Sequence, residues 1–244
     1  MAMGQNDRFR LQTARMDSAH AADAGIDVGL RSYMLRVYNY MCIGLALTGA
    51  VAFAASTSAE LMNTIHGTAL RWVVMLAPLG FVFYLSARIN SMKASTAQAL
   101  FWVYAGLMGL SLSSILLVYT GASVARAFFI TAGAFAGLSL YGYTTKRSLS
   151  AMGSFMLIGL FGLILGFIVN IFLGSTTLDL ALSAIGVLVF AGLTAWDTQK
   201  IKLMYMAGDS SEVREKKSIY GALTLYLDFI NMFIMLLHLF GNRE

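Results

Sequence analysis

With one cysteine and one proline in 244 residues, the chain is short of two residue types that constrain a backbone strongly. The lone Cys42 excludes an intramolecular disulfide framework and any zinc or iron–sulfur site built on several cysteines. It reads as a small apolar residue in the first hydrophobic segment. Charge is scarce as well. Asp, Glu, Lys and Arg make up 12% of the chain, where soluble domains carry about 25%. The set AVILMFWYC makes up 58%, before 23 glycines are counted. A water-soluble globule of this length cannot hide that much apolar surface, which excludes soluble enzymes and disordered chains alike. There is no Walker A pattern, no dinucleotide fingerprint, no H-E-x-x-H and no G-x-S-x-G. The chain is therefore expected to be a non-enzyme without a cofactor.

What is present is length of apolar sequence. A membrane-spanning helix needs roughly 20 predominantly apolar residues. Seven such runs occur, at about 33–57, 70–88, 99–119, 123–143, 151–173, 178–200 and 220–241. They do not alternate in polarity as barrel strands do. The expected fold class is an all-α integral membrane protein, a seven-transmembrane-helix bundle. Residues 1–32 form a polar N-terminal tail and 33–244 the transmembrane domain. The tail lacks the apolar core of a cleavable signal peptide and reads as a mobile segment whose last turns form a surface helix.

The net charge of +5 does not point to nucleic acid, because the basic residues sit in short gaps between apolar runs. Assigned to alternate sides, 14 of the 17 fall together: Arg8, Arg10, Arg15, Arg31, Arg36, Arg88, Lys93, Lys146, Arg147, Lys200, Lys202, Arg214, Lys216 and Lys217. Only Arg71, Arg126 and Arg243 fall on the other side. Positive charge stays inside, so the N-terminus is expected in the cytoplasm. Two G-x-x-x-G stretches, Gly133–Gly137 and Gly162–Gly166, suit close helix packing within one bundle. Pro78 falls mid-way along the second run, where it frees a carbonyl and bends a helix.

Of the 12 acidic residues, ten lie in the tail, the gaps or the terminus, and two lie inside apolar runs: Asp197 in the sixth and Asp228 in the seventh. An aspartate at membrane depth is costly unless neutralised, paired or wetted, which makes it a functional candidate. The sixth helix runs toward the cytoplasm and the seventh runs back. With a boundary near Tyr205 and Ile219, each aspartate lies roughly 12–13 Å inside at 1.5 Å per residue. Two carboxylates facing each other at that depth cannot both ionise cheaply and share a proton. When both ionise, their oxygens suit a hard cation such as Ca²⁺. A polar pair that merely locks two helices remains the alternative. Arg88 ends the second helix on the same side and is the natural counter-charge. From position alone it is equally a flanking residue snorkelling to headgroups. Asn170 and Asn231 read as interhelical hydrogen-bond glue. The serines at 111, 113 and 114 either line a cavity or satisfy their own helix backbone. His238 reads as an interfacial residue near the outer end, and Trp196 as packing.

At these residues a family resemblance appears. The stretch Ile185–Lys202, containing Trp196-Asp-Thr-Gln-Lys-Ile-Lys202, and the stretch Leu225-Tyr-Leu-Asp-Phe-Ile-Asn-Met-Phe-Ile234 resemble the Bax inhibitor-1-like family in its bacterial branch. Gly109–Ile115 and Gly137–Lys146 support it, and the resemblance covers everything but the tail. It implies a seven-helix bundle in the bacterial inner membrane and a pH-sensitive calcium leak. It also implies a paired-aspartate sensor, which maps onto Asp197 and Asp228, and a latching arginine, which maps onto Arg88. Here Arg88 stands alone where relatives can carry a basic cluster, and Trp196 replaces a frequent tyrosine. Calcium ions and protons are then the traffic and the bilayer the medium. The resemblance also brings an alternative: a non-conducting protein that restrains a membrane-bound ATP-dependent protease.

Overall fold

The computed structural model describes the backbone of residues 5–242 and side chains from Val28 onward, His66 excepted. Arg243 and Glu244, with the first four residues of the tail, lie outside the described residues. Among the described residues nine helices follow one another: α1 (Gln5–Ser56), α2 (Ala59–His66), α3 (Leu70–Arg88), α4 (Ala94–Leu112), α5 (Ile115–Val118), α6 (Gly121–Thr144), α7 (Ser150–Leu173), α8 (Thr176–Leu203) and α9 (Ser211–Phe240). Seven of the segments are long and apolar enough to cross a membrane, with α4 and α5 together forming the third. Helices are the expected solution, because the hydrocarbon leaves no water to satisfy backbone groups.

The element ends differ from the expected ones where polar chemistry, not hydropathy, sets them. α9 begins at Ser211, nine residues before the apolar run, because Ser210 caps it by accepting from the Val213 N–H at 3.3 Å and Glu212 occupies the first turn. The tail does not stop short of the bundle either: α1 is one helix from Gln5 to Ser56. The helix of the third span breaks at Ser113 and Ser114, and between the third and fourth spans Thr120 caps α6 through the Ser123 N–H. That corner is tied to the chain end, since the Thr120 N–H donates to the Asn242 carbonyl at 3.1 Å and the Asn242 N–H to Ser123 at 3.0 Å. Pro78 lies inside α3, which continues through it.

α9 occupies the centre of the bundle and packs against α8, α1, α6 and α4. Its neighbours close around a core that includes Tyr33, Phe101, Tyr104, Tyr226 and Phe229. A second cluster, with Leu163, Val189, Phe190 and Met232, joins α7, α8 and α9. α7 is the outermost span; it packs on α8 and turns residues such as Phe172, 84% exposed, outward. Lipid is as apolar as such side chains, so their exposure carries no penalty.

The glycines that let backbones approach are not the ones the motif suggested. A Cβ on Gly133, Gly137 or Gly162 would meet nothing within 4 Å, and only Gly166 packs inward, on Leu182. The close approaches fall at Gly142, where a Cβ would sit 2.1 Å from the Ala195 carbonyl oxygen, and at Gly153, against Trp196. Spacing alone does not say which face of a helix meets a neighbour. Gly142→Ala therefore lowers thermal stability in detergent by about 1–3 kcal/mol through overpacking. Gly137→Ala leaves it unchanged or raises it by up to about 1 kcal/mol through helix propensity.

Candidate functional site

Both sequence-selected aspartates end up in one seam. α8 starts on the Ser175 cap and ends with Lys200 and Lys202 in its last turn, which suits the negative end of a helix dipole. The chain then turns through residues 204–210. Lys217 fastens that turn by donating to the Met204 carbonyl at 2.8 Å and to Asp209 at 2.6 Å. α9 returns antiparallel against α8. Gly221 packs against Ile201 at one end of the seam and Gly186 against Met235 at the other. This register puts Asp197 and Asp228 three to four residues apart in depth, roughly 5 Å at the helical rise.

Asp197 is 7% exposed and Asp228 4% exposed. The Oδ2 atom of Asp228 is buried without a hydrogen-bond partner, and Asp197 is the charged group that acts on it. Neither carboxylate takes part in an ion pair among the described residues. The positive charge that bears on Asp197 is Lys200, one turn along the same helix, whose Nζ lies 5.0 Å from the centre of the Trp196 ring. Two carboxylates so placed repel when both are ionised and are relieved by one proton between them. No group of three or more His, Cys, Asp or Glu gathers among the described residues. Ca²⁺ takes 6–8 oxygens, more than the two carboxylates supply by themselves.

The segment that carries Asp197 is held on several sides. Gln199 accepts from the Leu149 N–H at 2.8 Å and donates to the Arg147 carbonyl at 2.9 Å, clamping the α6–α7 turn. Lys202 donates to the Tyr143 carbonyl at 2.8 Å. Thr198 joins a hydroxyl chain with Ser139 at 3.0 Å, and Ser139 meets Tyr38 at 2.6 Å, so α8, α6 and α1 are linked. Arg88 is not among these partners. It sits in the last turn of α3, exposed, on a helix that packs chiefly against α4 and α2. The bridge from Arg88 to either aspartate is not formed in this structure.

A different ionic clasp closes that end of the bundle. Arg36 on α1 donates to Glu215 on α9 at 2.5 Å, Tyr40 donates to the same carboxylate, and Lys216 reaches the Asn90 carbonyl at 3.2 Å. These bonds, with those of Gln199 and Lys202, bring the four basic segments to one end. Sequence reading missed the clasp because Arg36 and Glu215 are 179 positions apart and each is an ordinary charge near a helix end. Two asparagine readings also change. Asn170 accepts from the Ser175 N–H at 3.1 Å and so shapes the α7–α8 turn, while Asn231 donates to the Leu227 carbonyl of its own helix at 2.8 Å. Neither is interhelical glue. Ser113 bonds back to Leu110 at 2.7 Å, His238 stacks on Tyr119, and Trp196 packs on Gly153.

Seven spanning helices around a buried carboxylate pair define a multi-pass membrane protein whose functional groups lie inside the bundle. Comparison with known proteins makes the class specific. The family model described as "Inhibitor of apoptosis-promoting Bax1" matches residues 30–244, and the chain belongs to this Bax inhibitor-1-like family. An uncharacterized protein of Rickettsia prowazekii is 51% identical over 89% of this chain and 92% of its own. The inner membrane protein YbhL of Escherichia coli is 49% identical over 88% and 94%. An uncharacterized protein of Caulobacter vibrioides is 45% identical over 97% and 99%, a match that takes in the tail. The chain is thus a multi-pass inner-membrane protein, and no catalytic family is matched.

The two kinds of contact at the basic end separate on mutation. Gln199→Ala strands a buried N–H and lowers stability by about 1–3 kcal/mol. Arg36→Ala removes a half-exposed ion pair and costs less than about 1 kcal/mol. Thermal unfolding of the purified protein in one detergent ranks the two.

Proposed function

We propose that this protein is a non-enzymatic, pH-sensitive passive leak for Ca²⁺, with the Asp197–Asp228 pair as its proton sensor. The observation that carries the reading is the partnerless Oδ2 of Asp228, buried in the α8–α9 seam beside a second carboxylate. A bundle that needed only a polar lock would satisfy that oxygen. Left unsatisfied, it is a group whose charge state decides how well the seam closes. Gain or loss of the shared proton then shifts a two-state bundle by the difference in proton affinity between its states. Ca²⁺ is cargo here, drawn to the carboxylates when both are ionised.

The experiment is Ca²⁺ flux into proteoliposomes holding the purified chain, measured from acid to neutral pH. Wild type conducts with a pH dependence. Asp197→Asn and Asp228→Asn each abolish that dependence, because a lone carboxylate has no partner to share a proton with. Flux and pH profile unchanged in both variants would defeat the sensor. Absence of flux at every pH in wild type would defeat the leak itself. Arg88 belongs to the same experiment. A latch requires α3 to carry Arg88 toward Asp197 in the shut state, so that protonating the pair releases it. In that case Arg88→Ala raises flux and weakens its pH dependence, whereas an Arg88→Ala profile that overlays wild type removes the latch from the mechanism.

The second reading, restraint of a membrane-bound ATP-dependent protease, draws support from α1. The helix continues from Gln5 to Val28 ahead of the span, about 35 Å of rod at 1.5 Å per residue. A rod of that length is a docking element and is superfluous for conduction. Deleting residues 1–27 leaves proteoliposome flux intact under the leak reading. Under the docking reading the deletion removes the effect on the protease in cells while the bundle stays folded.

A further inference from the structure

A large cavity lies apart from the aspartate pair. It has a volume of about 1220 Å³ and runs between α1 and α6, with Phe229, Ile230 and Phe233 of α9 as its floor. Small-ligand pockets are usually about 300–1,000 Å³. Its walls are open because small residues face each other where bulky ones would close the gap: Ala46 and Gly49 on α1, Ala132 and Ala136 on α6. On α1 it extends from Arg31 to Phe53, about 33 Å at 1.5 Å per residue, close to the hydrocarbon thickness of a bilayer. Neither Asp197 nor Asp228 lines it, and no acidic residue does among the described residues. Apart from Thr48, whose hydroxyl is bonded within the bundle, the polar lining residues gather at one end. There the hydroxyls of Tyr38 and Ser139 satisfy each other and Arg31 stands exposed, without an ion pair among the described residues.

We infer that this groove is a binding site for an anionic phospholipid of the leaflet at the basic end of the bundle. One acyl chain lies in the groove over Phe229 and Phe233, and the phosphate meets Arg31. Three facts select this occupant. Exposed lining residues such as Leu35, Phe53, Phe129 and Leu140 lie on the membrane-spanning segments, where the adjoining medium is acyl chain. The floor residues Phe229, Ile230 and Phe233 are 3%, 5% and 8% exposed, so they are reached only from within the groove. Among the described residues the charge at the mouth is one cation without an ion pair, Arg31, which calls for an anion at headgroup level. The site does not depend on the leak reading and holds whether or not the protein conducts.

The test uses the full chain reconstituted in phosphatidylcholine vesicles that contain a trace lipid with a photoactivatable group near the end of one acyl chain. The trace is phosphatidylglycerol in one arm and phosphatidylcholine in the other, and labelled peptides are mapped. The expected result is labelling of Phe229–Phe233, about fivefold stronger from phosphatidylglycerol, the factor that about 1 kcal/mol per basic residue near an anionic headgroup provides. Arg31→Gln brings the two lipids level, and Ala132→Trp, which fills the groove, removes floor labelling from both. Floor residues left unlabelled while outward residues of α7 such as Phe172 are labelled would overturn the site. Equal wild-type labelling by the two lipids would overturn the headgroup contact. A floor shielded by a dimer, seen as crosslinking between copies through α1 and α6, would give the groove to a second chain and overturn the proposal. The wild-type comparison needs no variant, so a misfolded Ala132→Trp leaves the outcome decidable.

Discussion

The rest of the molecule depends on the antiparallel seam between α8 and α9. Among the described residues α9 is the span most enclosed by others, and α8 is the element it meets most extensively. Gly221 against Ile201 and Gly186 against Met235 bring the two helices close enough for side chains to interlock along their length. Once that register is set, the depth of both aspartates is set with it. So is the position of the 204–210 turn that Lys217 fastens. α7 then covers the outer face of α8, α6 covers its other flank through Gly142 and Ala195, and α1 and α4 close over α9. A charge pair placed in this seam is coupled to most of the bundle, because loosening α8 from α9 disturbs every helix that rests on them.

The bilayer explains why so many large apolar residues face outward while polar ones face in. Thr48 is 3% exposed and bonds to Gly44, Ala105 and Tyr226, all inside the bundle. Thr131, Ser139, Thr194 and Thr198 are likewise buried and bonded to backbone or to one another. Hydroxyls can be tolerated at this depth because a helix carbonyl four residues back is always within reach. A carboxylate has no such local solution, since it accepts and does not donate when ionised. That difference in chemistry separates Asp197 and Asp228 from the other polar residues of the core.

The seven spans were legible because apolar length is itself the physical requirement, and the aspartates were legible because charge is improbable at that depth. Element ends were less so where caps decide them, as at Ser210, since hydropathy is blind to a serine that accepts one backbone hydrogen bond. Gly133 and Gly137 show a different limit: the spacing was read correctly, but a helix has several faces and the sequence does not say which is covered. Arg36 and Glu215 show a third. Their contact exists because α1 and α9 are neighbours, and neighbourhood across 179 residues is a property of the whole bundle. Asn170 and Asn231 were misassigned for the opposite reason, because the nearest partner of each amide is its own chain, the following turn for Asn170 and the preceding helical turn for Asn231.

The helices are not equally committed to the fold, and this bears on which of them can move. Among described residues α3 buries only Pro78 and Leu85 and rests on α4 and the short α2. α9, by contrast, buries residues from Ser218 to Leu237 on nearly every turn. Opening a bundle at α9 would expose Asp228 and break contacts with four helices at once, whereas displacing α3 uncovers little. Segments with few buried contacts are the ones that fluctuate at low free-energy cost. Lipid replaces the apolar surface that α3 loses, so the cost of its displacement is smaller in a membrane than in water. Displacing α3 therefore costs less than opening the α8–α9 seam. Arg88, exposed in the last turn of α3, moves with that helix.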